Sequence, residues 1–172
     1  MAERMELTRP VFFVGFMGAG KTSVARRLAR TCGVASVDMD TYIERREGKK
    51  VKEIFAEGGE EGFRAIETDV LRELGAKPDP LLISCGGGIV KRPENLRALH
   101  QNGVVLFIDR PVEQLTVGGG RPLSSSMEAL HQMEAQRRPL YLAAADAVIP
   151  NNGTLDEALR AAMEALDEIF DS

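Results

Sequence analysis

Short apolar runs alternate along this chain with stretches in which apolar residues return every three or four positions. Val11-Phe12-Phe13-Val14 has the character of a strand buried on both faces. From Thr22 to Cys32, Val24, Ala25, Leu28 and Ala29 share one side of a helix, and Gly33 supplies its stop. Ala35-Ser36-Val37 predicts a second strand. Helical patterns follow over about Asp40 to Arg46 and Val51 to Glu57. Gly58-Gly59 breaks the second, and Glu60 to Leu74 resumes with Phe63, Ile66, Val70 and Leu74 on one face. Leu81 to Ser84 predicts a third strand running into Gly86-Gly87-Gly88. Pro93 opens a helix that ends at Asn102-Gly103, and Val104 to Ile108 predicts a fourth strand.

Val117 to Gln136 shows no strong period and contains runs of three glycines and three serines, the composition of a mobile segment. A helix around Arg138 to Ala145 then leads to a fifth strand, Ala147-Val148-Ile149. Thr154-x-x-Glu157 is a capping box for a last helix whose inward face is read as Leu155, Leu159, Met163 and Leu166. Strand–helix alternation of this kind implies an α/β domain, with a parallel sheet covered on both sides.

The length, 172 residues, suits a single domain spanning 1–172. With 44% hydrophobic and 28% charged residues, disorder and coiled coil are disfavoured. A net charge of -4 disfavours a nucleic-acid partner held by a broad basic surface. No apolar run approaches the ~20 residues that span a bilayer, and the first ten residues have no secretory pattern. The expectation is a cytoplasmic protein without a membrane partner. Cys32 and Cys85 make no disulfide framework and, with His100 and His131, no zinc spacing; both histidines are read as surface residues. Asn152-Gly153-Thr154 fits a glycosylation sequon, which carries no weight without a signal peptide.

Gly15-Phe16-Met17-Gly18-Ala19-Gly20-Lys21-Thr22 fits G-x-x-x-x-G-K-S/T, between a strand and a helix. Such glycines let backbone N–H groups turn toward phosphates, and the helix N-terminus adds partial positive charge. Lys21 offers a full charge to the terminal phosphates and Thr22 a hydroxyl to Mg²⁺. The motif alone does not separate a small-molecule kinase from a GTPase, a motor or a switch. Asp38 and Asp40 stand two apart at the end of the second strand, so both carboxylates can point into one cleft. One would order Mg²⁺ and the other orient or deprotonate an acceptor hydroxyl. The plainer alternative makes Asp40 a helix cap and Asp38 a solvated residue. Arg64 and Glu67 are either an exposed intrahelical pair or an arginine fork for a substrate carboxylate. Gly86-Gly87-Gly88 is either an ordinary turn or bare backbone against which a substrate rests.

Taken in order, the phosphate loop, VDMD at 37–40, IFAEGGEEGFRAIE, SCGGG, RPL at 121–123 and RRPLY at 137–141 resemble the shikimate kinases from about Val11 to Gly153. The resemblance implies a three-layer αβα sandwich of the P-loop NTPase type with a five-stranded parallel sheet. It implies a substrate-binding helical segment at about 38–67 and a lid at about 117–136. The implied activity is transfer of the γ-phosphoryl group of ATP, with Mg²⁺, to the 3-hydroxyl of shikimate by a monomer. By the same resemblance Gly18, Ala19, Gly20, Lys21, Thr22, Ser23, Arg121 and Asn152 form the nucleotide side. Thr22 and Asp38 serve the metal, and Lys21, Asp40 and Arg121 the chemistry. Asp40, Arg64, Arg137, Gly86, Gly87 and Gly88 hold the substrate, with Phe55 and Phe63 as walls. The family usually carries another arginine just before the lid, where this chain reads Leu115-Thr116-Val117, so a weaker grip on ATP is expected. The alternatives are another small-molecule kinase, such as a gluconate kinase, or a nucleotide-binding regulatory protein without catalysis. Retention of Lys21, Thr22, Asp38 and Asp40 argues against the last.

Overall fold

The computed structural model of the chain describes residues 6–115 and 127–171. Five parallel strands form one sheet in the order β2-β3-β1-β4-β5: β1 Val11–Val14, β2 Ala35–Asp38, β3 Leu81–Ser84, β4 Val104–Asp109 and β5 Ala147–Pro150. The helices are α1 Lys21–Cys32, α2 Met39–Glu47, α3 Val51–Gly75, α4 Pro93–Asn102, α5 Met127–Ala144 and α6 Leu155–Asp171.

Every residue of β1 and β3 is buried, as is β4 up to Ile108, so the sheet is covered on both faces. Right-handed crossovers sort the helices between those faces. The β1–α1–β2 connection runs one way across the sheet, while the connections after β2, β3 and β4 run the other. Accordingly α1 packs with α6, and α3, α4 and α5 share the opposite layer. β1, at the centre, is where the winding reverses, and a cleft opens beyond the carboxyl ends of the strands.

Most expected elements are present, with instructive differences. The glycine break inside the longest helical pattern is a kink: Gly59 has φ 69° and ψ -172°, a conformation that favours glycine. The segment expected to lack structure is helical from Met127 onward. Leu130, Arg137, Tyr141 and Ala144 lie on its inner face, and a polar outer face hid the period. Pro139 lies on the exposed side of α5, where the loss of one helical hydrogen bond costs least. The rest of the expected lid lies outside the described residues. On α6 the buried seam is Ala158, Ala162 and Leu166, whereas Leu155, expected inward, is 37% exposed. Leu166 is buried and Leu159 and Met163 pack half-buried against the core, so of the expected inward residues only Leu155 departs. The Thr154 hydroxyl accepts the Glu157 N–H at 3.2 Å, as the capping box requires.

A buried polar cluster fixes the layer that carries the site. Asn95, fully buried on α4, donates from Nδ2 to the Ile89 carbonyl at 3.0 Å. Its Oδ1 lies 2.8 Å from the Thr68 hydroxyl of α3, which is itself 3.0 Å from the Arg64 carbonyl. Arg92 donates to the same hydroxyl at 3.0 Å. These bonds tie α3 and α4 to the turn at Ile89–Lys91, directly after the triple glycine. Asn95→Ala should cost about 1–3 kcal/mol, because buried donors and acceptors lose their partners. A lowered urea midpoint checks this; an unchanged midpoint would make the cluster incidental.

Candidate active site

The phosphate loop sits where β1 ends. A Cβ on Gly15 would lie 2.6 Å from the Ile108 carbonyl oxygen, so β1 and β4 approach backbone to backbone there. Asn151, buried just beyond β5, donates from Nδ2 to the Ala19 carbonyl at 2.7 Å and braces the loop from the other side. Lys21 lies within the loop's curve, 9% exposed, and its ammonium donates to the Gly15 and Phe16 carbonyls. Burial lowers its pKa from 10.5 to about 8. Met17 to Ser23, Asp38, Asp40, Ser84 to Gly87 and Arg110 line one cavity.

A second cavity adjoins the first. Its walls include Val51, Phe55, Phe63, Arg64, Glu67, Gly88, Lys91 and Arg137, and it shares Met17, Asp40, Gly86 and Gly87 with its neighbour. Each glycine of the triple faces a different group. A Cβ on Gly86 would lie 3.1 Å from Glu67 Oε2 and 3.4 Å from Asp40 Oδ1. On Gly87 it would lie 3.4 Å from Arg137 Nη1, and on Gly88 it would run into the Arg64 guanidinium. A side chain at Gly88 would have to displace the Arg64 guanidinium, and one at Gly86 would crowd Glu67, so little room is left beside this backbone. Tyr141 donates to the Gly87 carbonyl at 2.6 Å and pins this loop to α5.

The charges of the second cavity are arranged in pairs. Arg64 Nη1 contacts Glu67 Oε1 at 2.9 Å, with 13% and 1% of the side chains exposed, so this is no surface pair. Burial pushes the Glu67 carboxyl up, opposed by Arg64. Lys91 pairs with Glu60, which also lies 3.5 Å from Arg64 Nε. Arg137 has no carboxylate partner among the described residues; its guanidinium lies 5.8 Å from the Phe16 ring. Phe55 stacks on Phe63 with centroids 4.6 Å apart and forms the open edge.

The two aspartates are placed differently from the strand reading. β2 ends at Asp38, and Asp40 lies in the first turn of α2. Asp38, not Asp40, is the helix cap: its Oδ1 accepts the N–H groups of Asp40 at 3.0 Å and Thr41 at 3.4 Å. Asp38 still lines the first cavity beside Thr22, whose hydroxyl is 3.0 Å from that of Ser84. Asp40 stands between the two cavities. Loss of solvent and the charge of Asp38 push its carboxyl up, while Lys21 pulls it down. No cluster of three or more His, Cys, Asp or Glu able to hold a metal occurs among the described residues.

The model of the shikimate kinase family matches residues 17–167. The chain belongs to the shikimate kinase family. A shikimate kinase of Clostridium botulinum is 36% identical over 153 residues, covering 87% of this chain and 92% of that relative. One from Parasynechococcus marenigrum is 41% identical over 157 residues, covering 85% and 80%. Among solved structures, shikimate kinase of Acinetobacter baumannii in complex with shikimate shares 36% identity and a TM-score of 0.84, covering 96% and 95%. A gluconokinase of Sinorhizobium meliloti, 15% identical with a TM-score of 0.64 over 97% and 96%, shares the fold alone. The chain is thus a kinase of the shikimate pathway, and its family implies use of ATP.

Against the sequence expectations, Gly18 to Ser23, Asp38, Asp40, Arg64, Gly86 to Gly88, Arg137, Phe55 and Phe63 all line one or both cavities. Arg121 and Thr116 lie outside the described residues. Asn152 is exposed, and its neighbour Asn151 is the residue packed on the phosphate loop. Sequence reasoning missed Asn151, Tyr141, Glu67 as a buried group, Lys91 and Arg110. Tyr141 stood within the RRPLY motif and Glu67 within IFAEGGEEGFRAIE; Asn151, Lys91 and Arg110 left no local signal.

The buried ammonium has an opposite effect on folding and on binding. Between about pH 8 and 10.5 the unfolded chain holds the Lys21 proton and the folded chain releases it, so stability gains from this group as pH rises. On the expectation that the ammonium holds ATP, its Kd should rise above about pH 8, by up to ~10-fold per pH unit. Calorimetric titration across pH 7–10 checks this, and Lys21→Met should flatten the profile. A flat wild-type profile would mean that Lys21 is not the titrating phosphate contact.

Proposed function

We propose that the two cavities hold ATP and shikimate, and that Asp40 manages the hydroxyl exchanged between them. The observation that carries this reading is the position of Asp40, which lines both cavities at their junction. On one side lie the phosphate loop and Lys21. On the other lie Arg64 and Arg137, suited to a substrate carboxylate, with Phe55 and Phe63 against an apolar ring face.

In this mechanism the 3-hydroxyl oxygen of shikimate forms a bond to the γ-phosphorus while the bond to the β,γ-bridging oxygen breaks. ADP leaves with that electron pair, and the hydroxyl proton passes to the Asp40 carboxylate. The raised proton affinity of Asp40 suits an acceptor at this point. Lys21 stabilises charge on the terminal phosphates, and the loop N–H groups fix their position. By family resemblance Arg121, which lies outside the described residues, is assigned the same task.

The oxygen donors near Thr22 suit Mg²⁺. Thr22 and Asp38 line the phosphate cavity, and the cap bonds of Asp38 use Oδ1, leaving Oδ2 for a metal-bound water. So sparse a set fits a cation held mainly by nucleotide phosphates and water. Bound there, Mg²⁺ would supply charge neutralisation for the nucleotide phosphates. The same reading places the enzyme in the cytoplasm as a monomer, one domain over 1–172, acting on a small molecule without nucleic-acid or membrane partners.

Coupled detection of ADP tests the reading: release should require shikimate and not respond to gluconate. Gluconate-dependent release without a response to shikimate would overturn it. Asp40→Asn should lower kcat by roughly 10²- to 10⁴-fold with little change in ATP binding. The α2 cap is Asp38, so this substitution leaves the helix start untouched.

Arg137→Ala should raise the KM for shikimate roughly 10- to 150-fold, the equivalent of about 1.5–3 kcal/mol for a charged hydrogen bond. Lysine at 137 should restore only part of this, because the planar fork is lost. Arg64→Ala should raise the same KM and also lower Tm, since Glu67 keeps its burial and loses its partner. Unchanged KM in both variants would remove the arginines from the substrate site.

A further inference from the structure

Arg110 follows β4 directly, at the carboxyl edge of the sheet. The backbone leading to it is fixed from two sides. Gly15 of the phosphate loop abuts the Ile108 carbonyl, and the Asn151 N–H donates to the Asp109 carbonyl at 2.8 Å. The carboxylate nearest in sequence is already committed. Asp109 accepts both terminal nitrogens of Arg138, at 2.7 and 2.9 Å, and Arg138 takes a further contact from Glu134 at 3.1 Å. Arg110 is left outside this network. It lines the same cavity as Gly18, Lys21 and Thr22, and its Nε is buried with no hydrogen-bond partner. No carboxylate pairs with it among the described residues.

A guanidinium is charged at every working pH and has five donors in a fixed plane. Leaving a buried donor without an acceptor is costly, and a ligand that supplies acceptors removes that cost. Lys21 by itself is a poor match for a triphosphate. It is a single charge, and its ammonium already contacts two loop carbonyls. Among the described residues that line this cavity, Arg110 and Lys21 are the only cations.

We propose that Arg110 is a second cationic clamp on the phosphate chain of the nucleotide, gripping its β- or γ-phosphate from the β4 side. The proposal rests on the reading that this cavity binds ATP. It makes Arg110 a nucleotide-binding residue supplied by the sheet edge, in a chain that lacks an arginine at Leu115-Thr116-Val117.

Titration calorimetry on Arg110→Gln, with ATP, ADP, AMP and shikimate as separate ligands, tests the proposal. The expected result is a Kd for ATP and ADP raised roughly 10- to 100-fold, and for AMP raised less than about threefold. Shikimate affinity and the Tm of the nucleotide-free protein should stay unchanged, and Arg110→Lys should recover part of the ADP affinity. Equal weakening for AMP and ATP would place Arg110 on the nucleoside or α-phosphate and overturn the proposal. Unchanged ATP and ADP affinity would reduce it to a solvated charge. These are binding measurements and need no turnover. Wild-type protein that binds ATP yet releases no shikimate-dependent ADP would sink the kinase reading and leave this test standing.

Discussion

The buried ammonium of Lys21 is the constraint on which the site depends. A full charge held at 9% exposure must be surrounded by oriented oxygens, and the phosphate loop provides them from its own carbonyls. That curvature is possible only because Gly15 lets β1 and β4 meet backbone to backbone. It is held open from the far side by Asn151, one residue past β5. Three of the five strand ends therefore converge on one loop. The parallel sheet is needed for this, since only parallel strands bring these carboxyl ends to one edge. The fold supplies the geometry, and the lowered proton affinity of Lys21 records its electrostatic cost.

Much of this was legible in the sequence because buried parallel strands are short and uniformly apolar. β1, β3 and β4 were plain on that ground, and Gly33, Pro93 and Gly103 bounded their helices correctly. The glycine kink in α3 was equally plain. Legibility failed where a helix had a wide polar face, as from Met127 to Gln136, and at Leu155 of α6, expected inward and found exposed. The aspartate pair failed for another reason. A period-two argument assumes that the strand continues, and Asp38 ends it by capping α2 through its own side chain. The expectation drawn from that spacing still holds in outcome, since Asp38 and Asp40 both line one cavity although only Asp38 belongs to the strand.

Residues that act across the sheet left no local trace. Asn151 and Tyr141 each hold a backbone carbonyl far away in sequence, and Asn95 meets Thr68 across 27 residues; each is buried. Nothing within a few positions of them announces a partner 54 or 132 residues away. Their common role is to fix backbone next to bare glycine or the phosphate loop. A site built on uncovered backbone has few side chains of its own to stiffen it, so its rigidity must come from such distant polar anchors.

The second cavity shows how a charged pocket can select by placement. It has three cations, Arg64, Lys91 and Arg137, and three carboxylates, Asp40, Glu60 and Glu67. Its net field toward an anion is therefore weak. Two cations are paired, Lys91 with Glu60 and Arg64 with Glu67. No ion pair among the described residues takes up Arg137, which faces Gly87, or Asp40, which faces Gly86. On the proposed reading, a ligand that satisfies both would present a carboxylate to one and a hydroxyl to the other across adjacent glycines. The paired Arg64 adds direction, because Glu67 holds its planar fork in place before any ligand arrives, which lowers the entropy lost on binding. A dianion or a polyol without a carboxylate would leave one of these two groups unmatched. Discrimination in this pocket would then follow from which polar groups a ligand leaves unmatched, more than from the pocket's overall charge.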